Sequence, residues 1–237
     1  VKTTLVVATL NEIIGMNQIM PKVPREWFDQ ILVLDGGSTD GTIEKARELG
    51  YEVYVQKQRG LRHAYAEALP LIKGDILITF SPDGNCVIEE LPKLIAKMRE
   101  GWDMVICSRY LDGATSDDDD PITAFGNWVF TKTVNVLFRA HYTDMMVIYR
   151  AYTKKLIYDL ELEKDEGYAA AERTFSTNIS WEPLLSIRAA KAKAKVTEIP
   201  GDEPKRIGGT RKLQVIRWGA AFIYQIVQEL FVWKAKS

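Results

Sequence analysis

Asp83 and Asn85 lie in the turn Ser81-Pro82-Asp83-Gly84-Asn85, which closes the apolar run Ile76–Phe80. A carboxylate and an amide oxygen so close together are two oxygen ligands for a hard divalent cation. They serve equally well as an Asx turn leading into the next helix, because Asp and Asn favour turns. Two other apolar runs end the same way. Leu5–Leu10 runs into Asn11-Glu12, and Ile31–Leu34 runs into Asp35-Gly36-Gly37. Each polar group taken alone is a plausible helix cap. Three such groups at strand ends meet at the sheet edge where open parallel sheets bind ligands. Carboxylates gathered there repel one another unless a cation or ligand hydroxyls meet them.

The elements that position these groups follow from the apolar pattern. The short runs Leu5–Leu10, Ile31–Leu34, Tyr51–Val55, Ile76–Phe80 and Asp103–Cys107 read as buried strands. Helices are expected between them: from near Glu12 to a point before Pro21, Thr42–Leu49 capped by Asp40 or Thr39 and ended by Gly50, Gly60–Ile72, and Glu89–Arg99. Such alternation predicts a mostly parallel sheet with helices on both faces. The second half predicts a long helix over Ile122–Arg139, a strand over Thr143–Tyr149 and a helix over Ala151–Leu160. A charged surface segment, Glu161–Thr174, comes next. Then follow a helix from Ser180 to Ala194, an edge strand Val196–Ile199, a basic Gly-containing loop Gly201–Thr210, and an amphipathic helix over Leu213–Trp233. The run Asp117–Asp120 reads as a solvated loop.

The 237 residues have a net charge of -1, so nucleic acid is not an expected partner. Cys86 and Cys107 form neither a metal cluster nor a disulfide framework, and the expected compartment is reducing and cytosolic. No signal peptide or membrane span is read from the chain. The terminal helix interleaves Trp218, Phe222, Tyr224, Phe231 and Trp233 with Arg217, Lys234 and Lys236. It suits either a bilayer surface, peripheral on the cytoplasmic face, or packing against the sheet domain or a second copy.

The motifs Val6-Val-Ala-Thr-Leu-Asn-Glu12, Val33-Leu-Asp-Gly-Gly-Ser-Thr-Asp-Gly-Thr42, Arg59-Gly60, Lys73-Gly-Asp75, Ser81-Pro-Asp83, Ser108-Arg-Tyr110 and Arg206-Ile-Gly-Gly209 recur in one order over nearly the whole chain. In these the chain resembles family-two glycosyltransferases of the GT-A fold, and within them the polyprenyl-phosphate glycosyltransferases related to dolichyl-phosphate mannose synthase. The resemblance implies one α/β domain over residues 1–237: a nucleotide-sugar half (1–110), an acceptor half with a lid loop (111–212) and a terminal amphipathic helix (213–237). It implies inverting transfer from a UDP- or GDP-linked sugar to a polyprenyl phosphate or lipid-linked glycan, assisted by Mg²⁺ or Mn²⁺. Donor binding falls to Thr9, Asn11, Glu12, Asp35, Arg59, Ser81, Asp83, Arg206 and Lys212. Glu12 and Asp35 would meet the nucleoside, Asp83 and Asn85 the metal, and Arg206 the diphosphate from a closing lid.

Three features depart from that family's pattern. Ser81 stands where the metal motif usually has an acid. Asn127 and Thr131 stand where Arg and Ser usually grip the acceptor phosphate, leaving Arg109 and Lys132 as cations. Asp117–Asp120 sets four carboxylates near the acceptor side. A phosphate acceptor is already a nucleophile, whereas a sugar hydroxyl needs a general base. Asp144, Glu182 and Asp117–Asp120 are the candidates, with Asp83, Asp144 and Arg206 expected to carry catalysis. Trp181 suits either stacking on a sugar or the core. Other readings are a soluble transferase to a free or polymeric sugar, or a nucleotide-sugar-binding protein without catalysis. A nucleotidyltransferase needs a basic Gly-rich loop after the first strand, which Thr9-Leu10-Asn11-Glu12 lacks. Oligomeric state is left open.

Overall fold

The computed structural model describes residues 1–208 and 215–235, so Lys212 and the end of the basic loop lie outside it. Among the described residues seven strands form one sheet in the order β3-β2-β1-β4-β6-β5-β7. They are β1 (Thr3–Thr9), β2 (Gln30–Asp35), β3 (Glu52–Val55), β4 (Ile76–Phe80), β5 (Met104–Ser108), β6 (Arg150–Thr153) and β7 (Val196–Pro200). Strands β1, β2 and β4 are buried almost throughout, which is why they are continuous apolar runs rather than alternating ones. The pairs β1–β2, β1–β4, β2–β3 and β5–β7 are parallel, and β6 runs antiparallel between β4 and β5.

Register decides where the polar turns emerge. Thr9 pairs with Asp35, and Val7 with Phe80. The chain therefore leaves β1, β2 and β4 along one sheet edge, and their three loops are neighbours. The connecting helices α1 (Ile13–Gln18), α2 (Thr42–Glu48), α3 (Leu61–Ala68) and α4 (Leu91–Arg99) are shorter than the apolar pattern predicts. Pro70, for example, lacks a backbone N–H donor, and the chain past Ala68 tightens into a 3-10 turn.

The second half departs further from expectation. Residues 143–149 are irregular, and the strand lies at Arg150–Thr153 instead. Side chains satisfy the irregular backbone. Glu198 accepts from the Thr143 and Asp144 amides, Thr131 from Met145, and Asp144 from Met146. Helix α5 spans Pro121–Phe138, with Asp120 capping the Ile122 and Thr123 amides. Helix α6 (Lys154–Asp159) is capped by Thr153.

The expected surface segment Glu161–Thr174 instead contains part of α7 (Ala169–Phe175) and the buried Tyr168. Lys164, Asp165, Glu166 and Arg173 do lie at the surface, but Glu172 and Asp165 pair with the buried Arg62, which lies over the Tyr168 ring. Helix α8 (Glu182–Lys191) is buried along most of its length. Helix α9 (Val215–Phe231) packs against α5, α7 and α8, where its buried Glu229 pairs with Arg188. Of the readings for Trp181, the core one holds: it is buried and stacks on Tyr65 with ring centroids 4.6 Å apart.

Candidate active site

A cleft of about 1250 Å³ runs along this sheet edge. On one side it is lined by Thr9, Glu12, Arg59, Ser81, Asp83 and Asn85, and on the other by Arg109, Asp119, Asn127, Glu203 and Arg206. Asp83 is only 8% exposed. One of its oxygens accepts the Asn85 amide at 3.1 Å; the other has Arg206 Nη1 at 3.9 Å, too far for a hydrogen bond. Gly84 between them has φ +96, which an L side chain rarely adopts. Behind the turn, α1 comes so close that a Cβ on Gly15 would sit 2.0 Å from the Pro82 carbonyl oxygen.

The fit of this turn to a divalent cation rests on an orphaned atom. Asn85 Nδ2 donates to Asp118 at 3.0 Å, while Asn85 Oδ1 is buried with no hydrogen-bond partner among the described residues. A buried amide oxygen beside an under-satisfied carboxylate suits a hard cation. Among the described residues no three His, Cys, Asp or Glu side chains cluster as a metal cage, so part of the coordination would have to come from a ligand.

Arg206 sits on the chain after β7, and its segment is stitched to both neighbouring loops. The Ile207 amide donates to the Asp83 carbonyl at 2.7 Å. The Glu203 amide donates to the Thr115 carbonyl, and the Asp117 amide to the Glu203 carbonyl, both at 2.8 Å. Arg206 Nη2 donates to Asp118 at 2.8 Å. Burial works against ionising Asp118, yet the Arg206 and Asn85 hydrogen bonds outweigh it and hold the carboxyl below its usual range. The acidic run is thus not a freely solvated loop. Asp118 and Asp119 are half-buried and engaged, Asp119 by the Tyr110 hydroxyl.

Arg109 is more heavily engaged still. Its Nε and Nη2 grip Asp144 at 2.6 and 3.1 Å, and its Nη1 reaches Glu203 at 3.1 Å and Asp119 at 3.5 Å. Asp144 is 0% exposed and also accepts from Asn127 Nδ2 at 3.0 Å. Burial would raise its pKa, but the Arg109 charge and hydrogen bonds outweigh burial and leave it lowered. Asp144, expected as a general-base candidate, is thus fully buried here, with Arg109 and Asn127 as its partners and no open path to the cleft. Asn127 lines the cleft, whereas Thr131 is buried behind it and bonds to Asn127 and the Met145 amide. Lys132 is exposed and does not line the cleft.

Three further expected site residues, Glu182, Asp35 and Asn11, do not line the cleft. Glu182, the other general-base candidate, is 0% exposed in the core, and burial raises its pKa against the opposing charge of Arg150. It does not line the cleft. Asp35 is also fully buried, and four donors take up its oxygens: the Gly37 and Ser38 amides and the Thr9 and Ser38 hydroxyls. A carboxylate has about four acceptor sites, and in this structure those of Asp35 are taken up within the turn. Asn11 is likewise a strut, accepting the Thr39 amide at 2.9 Å. Glu12 faces the cleft with its amide bonded to Thr42, and Arg59 is exposed at the rim. The residues that sequence reasoning missed are Glu203 and the specific roles of Asp118 and Asp119. No local pattern marks them, because each is defined by a partner far along the chain.

Comparison with known proteins follows the same lines. The model of a family described as "Glycosyl transferase family 2" matches residues 5–160. The chain is 27% identical over 226 residues to the dolichyl-phosphate hexose transferase of Haloferax volcanii, covering 94% of this chain and 92% of that protein. It is 28% identical over 234 residues to the polyprenol monophosphomannose synthase of Mycolicibacterium smegmatis, covering 90% of this chain and 81% of that protein. Among solved structures, glucosyl-3-phosphoglycerate synthase from Mycobacterium tuberculosis, in complex with Mn²⁺, UDP and glucosyl-3-phosphoglycerate, superposes with a TM-score of 0.62. That match covers 97% of this chain and 79% of that one at 17% identity, and shows a shared fold.

Proposed function

Because this chain belongs to glycosyl transferase family 2, with a GT-A fold, we propose that it moves a sugar from a nucleoside-diphosphate donor to a lipid-linked acceptor, a polyprenyl phosphate in the first place. The donor end of the cleft is the loop set around Thr9, Glu12, Ser81 and Asp83. Asp83 and Asn85 would hold a divalent cation there, and that cation would neutralise the departing nucleoside diphosphate. Arg206 would take the diphosphate oxygens with its planar fork. Attack from the acceptor end, on the face of the sugar opposite the leaving group, inverts the anomeric carbon. The resemblance to the Haloferax and Mycolicibacterium enzymes supports the choice of lipid acceptor.

The observation that carries the lipid reading is the apolar surface that continues from the acceptor end of the cleft. Ile122, Phe130, Trp218 and Phe222 line that end. Outside it, α5 exposes Phe125 (64%), Trp128 (57%) and Val136 (77%), and α9 exposes Ile223, Val227, Leu230 and Phe231. Large exposed apolar patches mark interaction surfaces. No helix among the described residues is long and apolar enough to cross a membrane. We therefore assign α5 and α9 to lie in a bilayer surface, with the exposed cations Lys132, Arg139, Arg217 and Lys234 toward anionic head groups.

A second reading of the acceptor is favoured by the charge around Arg109. Asp119, Asp144 and Glu203 together over-neutralise that cation, a poor setting for an incoming phosphate. A hydroxyl on a lipid-linked sugar avoids the conflict, and Asp119, which lines the cleft, would then be the base once it exchanges the Tyr110 hydroxyl for the acceptor's. The test is transfer of labelled sugar from UDP- and GDP-linked donors to vesicles holding either polyprenyl phosphate or a polyprenyl-diphosphate sugar. Label on the phosphate lipid, lost in Asp83→Ala, is the expected result. Label only on the glycan lipid selects the hydroxyl reading. Transfer to neither, with nucleotide still bound, refutes both in favour of a binding protein.

A further inference from the structure

Two acidic side chains from distant parts of the chain share one guanidinium at the donor end of the cleft. Arg206 donates to Asp118 through Nη2 at 2.8 Å and has Asp83 3.9 Å from Nη1. Both carboxylates are largely buried, with side chains 12% exposed for Asp83 and 15% for Asp118. In this arrangement the guanidinium supplies the positive charge that lets them face one another. A nucleoside diphosphate entering the cleft competes for the same fork, since phosphate oxygens are its preferred partners. Once Arg206 turns to the phosphates, the two carboxylates and the diphosphate leave this end of the cleft strongly negative. The charge then has to come from a cation. Asn85, which bonds both loops through its backbone amide and Nδ2, holds a buried Oδ1 that no donor among the described residues satisfies.

We propose that Asp118 is a ligand of the divalent cation that accompanies the donor, joining Asp83 and the Asn85 Oδ1 to complete the protein's share of an oxygen coordination sphere. The inference rests on the donor-site reading above and deepens it by naming a metal ligand from the acceptor-side loop. Oxygen-only ligation with two carboxylates and one amide suits Mg²⁺ or Mn²⁺, which keep phosphate oxygens and water in the remaining positions. Asp118 belongs to the loop bridged to the Arg206 segment by Ser116 and Glu203, so metal and diphosphate would draw on one assembled unit.

The experiment is calorimetric titration of Mn²⁺ into the full chain in the presence of UDP or GDP, with no sugar and no turnover. Asp118→Asn keeps the size of the side chain and removes its charge. It is expected to weaken Mn²⁺ binding about tenfold or more, as losses around metal sites do. Ser81 lines the same cleft, just ahead of Asp83. Ser81→Asp in the Asp118→Asn background is expected to restore the affinity by returning a second carboxylate, a rescue that a folding defect would not allow. Unchanged Mn²⁺ affinity in Asp118→Asn overturns the inference and leaves the donor site standing. So does tighter nucleotide binding without loss of metal, which would make Asp118 only a competitor for Arg206. If the wild-type chain takes up no Mn²⁺ with either nucleotide, the donor-site reading falls and this one with it.

Discussion

Replacing Asp144 separates a catalytic carboxylate from a positioning one. Asp144 is 0% exposed and receives Arg109 at 2.6 and 3.1 Å and Asn127 at 3.0 Å. Asp144→Ala leaves the Arg109 guanidinium without its main partner and the Asn127 amide without an acceptor. Breaking one side of a buried ion pair costs about 3–5 kcal/mol. Arg109 keeps Glu203 at 3.1 Å and Asp119 at 3.5 Å, which puts the expected loss at the lower end, about 3 kcal/mol. For a domain of this size that is roughly 6–12 °C in Tm, read by scanning calorimetry. The pH dependence follows from the lowered pKa of Asp144. Its contribution is complete above the unfolded carboxylate value of 3.8 and is lost as pH falls through the lower folded value. The Tm gap between wild type and variant should therefore be full at neutral pH and close only in strong acid. A variant with unchanged Tm and abolished turnover would refute this account and restore Asp144 as the base.

The other expectations concern burial, packing and the lid. Burial raises the pKa of Glu182, so its folded form favours the proton; its contribution is full below the unfolded value of 4.5 and fades as pH rises through the folded one. Glu182→Gln should raise Tm at neutral pH, with the gain vanishing toward pH 4 (about the carboxylate range); a pH-independent loss of Tm would contradict the assignment. Gly15→Ala places a Cβ 2.0 Å from the Pro82 oxygen and should push the Asp83 turn aside, costing about 1–3 kcal/mol of stability together with nucleotide affinity. Normal nucleotide binding in that variant would show that the turn is not held by α1. Arg206→Lys keeps the charge but not the fork, and should weaken UDP or GDP binding by titration; binding equal to wild type would remove Arg206 from the diphosphate site.

The succession of strands and helices in the first half and the three polar turns are legible in the sequence because both are locally encoded, whereas the order of the strands across the sheet is not. Continuous apolar runs such as Leu5–Val7 and Ile76–Phe80 have only one comfortable place, inside a sheet covered on both faces. The turn residues follow each run directly, so naming the strands names the loops, and Thr9, Glu12, Ser81, Asp83 and Asn85 do line one cleft. Strand β6 was not legible in the same way. Its four residues include the fully buried Arg150, and its neighbour Thr143–Tyr149 has a more strand-like composition but has its amides satisfied by side chains from elsewhere. What the tertiary structure alone decided is which acid meets which base. Arg109 and Glu203 are 94 positions apart, and Arg206 and Asp118 are 88 apart. Composition shows an Asp117–Asp120 run and a basic loop, and both look solvated. Only when β7 sets the end of its strand beside β5 do the two loops meet, and a charge that would cost little in water becomes half of a buried pair.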